Sequence, residues 1–221
     1  MSIELEFPDN NFLKNSINLY IGKPKSGKSY TIKSMMLSLC QRGYFDSIYV
    51  FSNIDNDDYN YLPKSCFFRG YNKNMLSKIL KYQDENKNNK CALIFDDLLG
   101  SIKDDDLLTH IITTFRHYNL SLFFTAQYLK KIPTVLRNCL NYCYIFNALT
   151  KTALTSLYEE IFNDSRFDNL NYVKKFVCDN TKGYNFIFVD LNEDDEYTKY
   201  KQILLPDPKY IKDYKIVFEN E

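Results

Sequence analysis

Between a run of β-forming apolar residues, Ile17 to Ile21, and an amphipathic stretch that begins at Ser29 lies the segment Gly22-Lys23-Pro24-Lys25-Ser26-Gly27-Lys28-Ser29. No other feature constrains the fold as strongly. The spacing G-x-x-x-x-G-K-S between a strand and a helix lets the backbone wrap an anion. Glycine permits close approach and positive φ. Successive N–H groups at a helix N-terminus form a cradle for phosphate. Lys28 then supplies an ammonium to the outer phosphates, and the Ser29 hydroxyl supplies a magnesium ligand. The segment from Gly22 to Ser29, with Tyr30 following, is the expected nucleotide-binding stretch, and ATP with Mg2+ is the expected ligand. Lys23 and Lys25 are expected to point to solvent.

A chain of 221 residues suits one sizeable α/β domain. We expect a single unit over 1–221, with a core from about 15 to 190 and a polar tail beyond about 191. Ile17 to Ile21, Ser47 to Ser52, Cys66 to Arg69, Cys91 to Phe95, Leu120 to Ala126, Tyr142 to Asn147 and Tyr184 to Asp190 read as strands. Ser29 to Arg42, Lys73 to Glu85, Asp104 to His117 and Thr152 to Asn163 read as helices from their apolar periodicity. Asn53 to Lys64 reads as a polar, acidic loop, and Pro133 to Asn138 as a short connecting segment. Strands alternating with helices imply a mostly parallel sheet covered on both faces. With the phosphate loop, this predicts a P-loop NTPase of the ASCE, RecA-like kind.

Lysine plus arginine equal aspartate plus glutamate at 28 each. That balance argues against a protein that coats nucleic acid by bulk charge, though it leaves room for a local basic strip. The six cysteines form no CxxC pair and sit mostly in apolar runs, as buried reduced thiols do. No stretch approaches the roughly 20 apolar residues of a membrane span, and the first residues are polar and acidic, unlike a signal peptide. A reducing, cytosol-like compartment is expected. Tyr, Asn, Lys, Ile and Phe are favoured while arginine occurs five times against 23 lysines, a bias of AT-rich coding.

Strand Cys91 to Phe95 ends in Asp96 and Asp97. Strand ends of this fold open onto the ligand crevice, so Asp96 is expected to face the magnesium ion with Ser29. Asp97 points elsewhere. It serves either as the base or orienter of an attacking water or as a cap on the following turn. Asp104, Asp105 and Asp106 read as helix-capping charges. Gln127 ends its strand where a γ-phosphate would be sensed or a water positioned.

The ordered set of phosphate loop, Asp96-Asp97, Phe115-Arg116-His117, the run SLFFTAQ ending at Gln127, and PTVLRN from Pro133 to Asn138 resembles the FtsK–HerA superfamily of DNA-pumping ATPases. Within it, the chain is most similar to the genome-packaging ATPases of poxviruses, other large DNA viruses and virophages. The resemblance covers roughly residues 17–146. It implies a motor that hydrolyses ATP to move double-stranded viral DNA into a preformed capsid. It also implies a homo-oligomeric ring of five or six copies, capsid-vertex or portal-like partners, and a virus-encoded protein of the host cytoplasm, viral factory or virion. Arg116 corresponds to the arginine that reaches a neighbouring subunit's nucleotide. Arg137 is the other candidate, as trans finger or cis sensor. His117 reads as a packing neighbour. Asp97 replaces the glutamate of the wider superfamily and reaches less far by one methylene. Lys130 and Lys131 are candidates for a DNA grip, or are solvated lysines. Two other readings share the loop: a helicase-like or conjugative-type DNA translocase, and a non-hydrolysing nucleotide-binding capsid or scaffold protein.

Overall fold

The structure, a computed structural model, describes residues 13–203 except 55–56, 101, 103–104, 148–149 and 196–198. Its element order alternates as the sequence predicts: β1 (Ile17–Ile21), α1 (Lys28–Gln41), β2 (Ser47–Ser52), β3 (Phe67–Arg69), α2 (Lys73–Glu85), β4 (Cys91–Asp96), α3 (Asp106–Thr114), β5 (Leu120–Ala126), α4 (Thr134–Asn138), β6 (Tyr142–Ile145), α5 (Lys151–Glu160), α6 (Leu170–Asn180), β7 (Phe186–Asp190) and β8 (Tyr200–Ile203). The eight strands form one sheet in the order β3-β2-β4-β5-β1-β6-β7-β8. Pairings from β3 to β6 are parallel, and β7 and β8 add antiparallel.

Period-two alternation of side chains divides the core between the two faces. Leu19 of β1, Leu93 and Phe95 of β4 and Leu122 and Phe124 of β5 join a cluster with Leu76 and Ile79 of α2, Ile111 and Ile112 of α3, Leu154 of α5 and Val173 of α6. Their strand neighbours Tyr20, Ala92, Ile94 and Phe123 pack on the other face, under Ile32, Met35 and Met36 of α1. That second face is rich in rings: Tyr20 and Tyr144 stack with centroids 4.2 Å apart. The same alternation that buries Phe123 and Ile94 turns Thr125 and Asp96 toward α1 and the phosphate loop.

The structure departs from the sequence reading in four places. The segment from Asn53 to Lys64 is not simply a solvated loop: Tyr59, Tyr61 and Leu62 are buried on the α1 face. The segment between α5 and β7 contains α6, capped by Asn169 through the Tyr172 N–H at 3.0 Å. Residues expected in a polar tail contribute β8. The helix expected from Asp104 to His117 stops at Thr114 and tightens into a 3-10 turn over Phe115–Tyr118, closed by Asn119 in the left-handed region at φ 52°. The remaining tail, residues 204–221, lies outside the described residues.

Asp105 begins α3 and accepts from the Leu108 N–H at 2.8 Å and from Tyr71 Oη at 2.7 Å, and it pairs with Lys73. Asp106 occupies the first turn; Asp104 lies outside the described residues. Burial works against the Asp105 charge, but Lys73, Tyr71 and the Leu108 N–H outweigh it and hold the carboxyl below the ordinary range. Asp105→Asn is therefore expected to lower stability by about 1–2 kcal/mol near neutral pH, as read by urea denaturation. A depressed folded-state pKa contributes stability above the unfolded value, near 4, and loses it as pH falls through the folded one. The gap between parent and variant should shrink below about pH 4.

Candidate active site

The loop after β1 is fastened at both sides. The Gly22 N–H donates to Ala126 O at the end of β5, and the Lys23 N–H donates to Asn147 O beyond β6, each at 3.1 Å. Gly22 admits no side chain, because a Cβ there would lie 2.7 Å from Phe146 Cβ and 2.9 Å from Ser26 Oγ. Gly27, at φ +102°, starts α1 in a conformation L-residues rarely adopt. Lys23, Pro24 and Lys25 are exposed, while Ser26 is buried and Lys28, Ser29 and Tyr30 are partly buried.

Lys28 Nζ donates to Gly22 O and Lys23 O, both at 2.9 Å, so the ammonium lies inside the loop. Burial lowers its pKa, and the nearby Asp96 and Asp97 carboxylates oppose that shift. The fit to a polyphosphate is specific. Ser26 Oγ is buried in the cradle without a hydrogen-bond partner among the described residues. α1 opens with no side-chain cap and no acid in its first turn, so its first N–H groups favour an anion.

Across the crevice stands Asp96, only 5% exposed. Its Oδ2 accepts from Ser29 Oγ at 3.1 Å and from Tyr59 Oη at 2.9 Å, and its Oδ1 accepts from Thr125 Oγ1 at 2.6 Å. Burial, then the neighbouring Asp96 charge, raises the Tyr59 phenol well above its ordinary pKa, so it remains a donor at working pH. Ser29 and Asp96, a hydroxyl beside a carboxylate, form a hard oxygen set suited to magnesium.

Asp97 turns away from Asp96 through a left-handed backbone at φ 53°. This is unusual for a residue with a side chain, though aspartate tolerates it better than most. Its N–H donates to Thr125 Oγ1 at 2.8 Å, so one hydroxyl holds both acidic residues. The Asp97 carboxylate is exposed to the crevice. Gln127 Nε2 stands 3.5 Å from each of its oxygens, at the outer limit of a hydrogen bond.

The two arginines lie elsewhere. Arg116 is exposed in the 3-10 turn before β5, at the sheet edge opposite the phosphate loop. The seven residues of β5 separate that turn from Gln127 by about 20 Å at the usual rise. The Gln83 amide fastens the turn by donating to Tyr118 O at 2.9 Å. Arg116 lines a cleft of about 500 Å³ with Lys14, Asn141, Asp190 and Glu193. Arg137, at the end of α4, pairs with Glu160 of α5 and donates to Thr134 Oγ1 at 3.1 Å. His117 is exposed. Lys130 is exposed just beyond Gln127, and the side chain of Lys131 lies outside the described residues.

Tyr59 and Thr125 are the site residues that sequence reasoning missed. Thr125 had a signal, a hydroxyl in the run Leu120 to Ala126 two residues before Gln127. Tyr59 had little, because the chain contains 19 tyrosines. Cys91 and Cys143 are fully buried, and burial pushes Cys91 up to about 12.

Strand β5 stands between the loop-bearing β1 and the acid-bearing β4. That inserted strand, with Asp96, Asp97 and Gln127 at one edge, defines a P-loop NTPase of the additional-strand class. The chain matches the poxvirus A32 protein family over residues 4–190, and it belongs to that family. No curated protein sequence matches it. Solved structures share the fold. The genome packaging NTPase B204 from Sulfolobus turreted icosahedral virus 2, in complex with ATP-gammaS, superposes with a TM-score of 0.64 at 18% identity, over 86% of this chain and 96% of that one. B204, the DNA-packaging ATPase from Sulfolobus turreted icosahedral virus, gives 0.65 at 16% identity, over 88% and 100%. EssC (ATPases 2 and 3) from Geobacillus thermodenitrificans gives 0.53 at 18% identity, over 66% and 34%.

Thr125→Val keeps the shape of the side chain and removes the hydroxyl. It leaves an Asp96 oxygen and the Asp97 N–H without that partner, at about 1–3 kcal/mol. Turnover should fall about tenfold or more, mainly in kcat. Turnover equal to the parent's would show that Thr125 does not hold the acidic pair.

Proposed function

We propose that this chain is an ATP-hydrolysing motor that translocates double-stranded viral DNA into a preformed capsid. The observation that carries the reading is the convergence of Lys28, Ser29, Asp96, Asp97 and Gln127 on one edge of the sheet, in a chain of the poxvirus A32 family. The genome-packaging structures that share its fold add support.

The loop amides and Lys28 bind and orient the triphosphate. Ser29 and Asp96 would hold Mg2+, which would neutralise phosphate charge. Asp97, aimed into the crevice and backed by Gln127, orients a water and accepts its proton as the water oxygen attacks the γ-phosphorus. The bond to the β–γ bridging oxygen breaks, and ADP and phosphate leave. Thr125 and Tyr59 act on this step only by holding the acidic residues in place.

Arg116 acts in trans. It lies at the far edge from its own phosphate loop, exposed, with the Phe115 ring 5.3 Å from its guanidinium carbon, so a neighbouring copy's nucleotide is the one it can serve. Arg137 is engaged by Glu160 and is a bracing residue between α4 and α5. A trans arginine requires an assembly, and a closed ring of five or six copies satisfies every site with one type of interface. The DNA grip is assigned to the turn after Gln127, where Lys130 lies beside the catalytic edge. Capsid-vertex proteins are the partners that such a motor requires, and the host cytoplasm, viral factory or virion is its place of action. Among the described residues no helix is long and apolar enough to cross a membrane.

ATPase activity measured against protein concentration, with and without duplex DNA, tests the reading. A steep rise with concentration and stimulation by DNA are expected. Arg116→Ala should be inactive alone and regain activity when mixed with Lys28→Ala, which binds no nucleotide productively but donates the arginine. Activity proportional to concentration, indifferent to DNA and without rescue at any ratio would overturn the motor.

A further inference from the structure

Tyr184 lies in the turn between α6 and β7 and is 50% exposed. Because β7 runs antiparallel to β6, its first residue stands at the edge where the parallel strands end. The turn before it therefore reaches the phosphate loop. Gly183, at φ +68°, shapes that turn. The approach to the loop is close. A Cβ built on Gly27 would lie 3.3 Å from Tyr184 Cδ1 and 3.8 Å from Tyr184 Cβ, with Phe146 Cε1 also at 3.8 Å. The ring of Tyr184 thus flanks the residue that begins α1, beside the anion cradle.

The other rings around this point, Phe146, Phe186 and Tyr144, are fully buried in the core. Tyr184 alone among these four presents an aromatic surface to the crevice rim. A half-exposed ring next to a polyphosphate cradle fits a ligand that carries a flat π-system on the end of its phosphates. Base–aromatic stacking is strong enough to matter and tolerates small shifts of the partner. We propose that Tyr184 is the stacking platform for the purine base of the bound nucleoside triphosphate, and so contributes to affinity for the nucleoside rather than for the phosphates. This rests on the nucleotide reading above.

The test separates base from phosphate. Binding of ATP and of inorganic tripolyphosphate, each with magnesium, is measured by calorimetry on the full chain. Tyr184→Ala should weaken ATP about tenfold or more, by loss of one stacking contact, and leave tripolyphosphate unchanged. Tyr184→Phe should match the parent for both. Lys28→Ala should weaken both ligands, and if it weakens neither, the phosphate-loop assignment itself has failed. Equal loss of both ligands in Tyr184→Ala would mean that the ring only props the loop, and no loss of ATP would mean that the base lies elsewhere; either overturns the proposal. The chain contains no tryptophan, so Tyr184→Trp supplies a single indole at the site. Its fluorescence should change with ATP and not with tripolyphosphate, and indifference to ATP would contradict the platform even if Tyr184→Ala folds poorly.

Discussion

The carboxylate of Asp96 is the point to which the rest of the site is tied. It is nearly fully buried, and a buried charge is tolerated only where hydrogen bonds replace water. Three hydroxyls do so: Ser29 from the start of α1, Tyr59 from the segment after β2, and Thr125 from β5. Those hydroxyls come from three different parts of the chain, so satisfying one charge also fixes the phosphate loop against the acidic strand. Thr125 extends the arrangement by accepting the Asp97 N–H. That bond holds Asp97 in its left-handed conformation, with its carboxylate in the crevice and Gln127 beside it.

Strand β5 makes this possible and also limits it. Inserted between β1 and β4, it places Thr125 and Gln127 between the loop and the aspartates. The same strand begins at the opposite edge, where Arg116 sits. One rigid element therefore carries a phosphate-edge residue at one end and an exposed arginine at the other. A subunit cannot bring both ends to one nucleotide, but two subunits can. Arg137, the other arginine candidate, pairs with Glu160 of α5.

The sequence was most legible where physics demands one residue type. Gly22 and Gly27 are required by a Cβ clash and a positive φ, and the strands β1, β2 and β5 begin and end where the apolar runs do. Asp96 and Asp97 were readable because a strand end is where ligands bind. Tyr59 was hidden because it lies among acids in a segment that looks solvated, in a chain where tyrosine is common. Its role depends on a contact 37 positions away, which no local pattern reports. The segment holding α6 did offer a helix signal, with Asn169 as cap and Leu170, Val173, Phe176 and Val177 on one face, that the reading passed over, and β8 is a strand by pairing rather than by composition. The pairing of Arg137 with Glu160 was invisible in the sequence, because it joins residues 23 positions apart on two helices.

The role proposed for Asp96 is to hold, with Ser29, a metal ion against the phosphates. The most direct measurement is calorimetric titration of ATP into the parent and into Asp96→Asn, each with magnesium and with the metal chelated. In the parent, magnesium should tighten binding. In Asp96→Asn that tightening should vanish, while metal-free binding through the loop and Lys28 persists. An equal magnesium effect in both proteins would contradict the account.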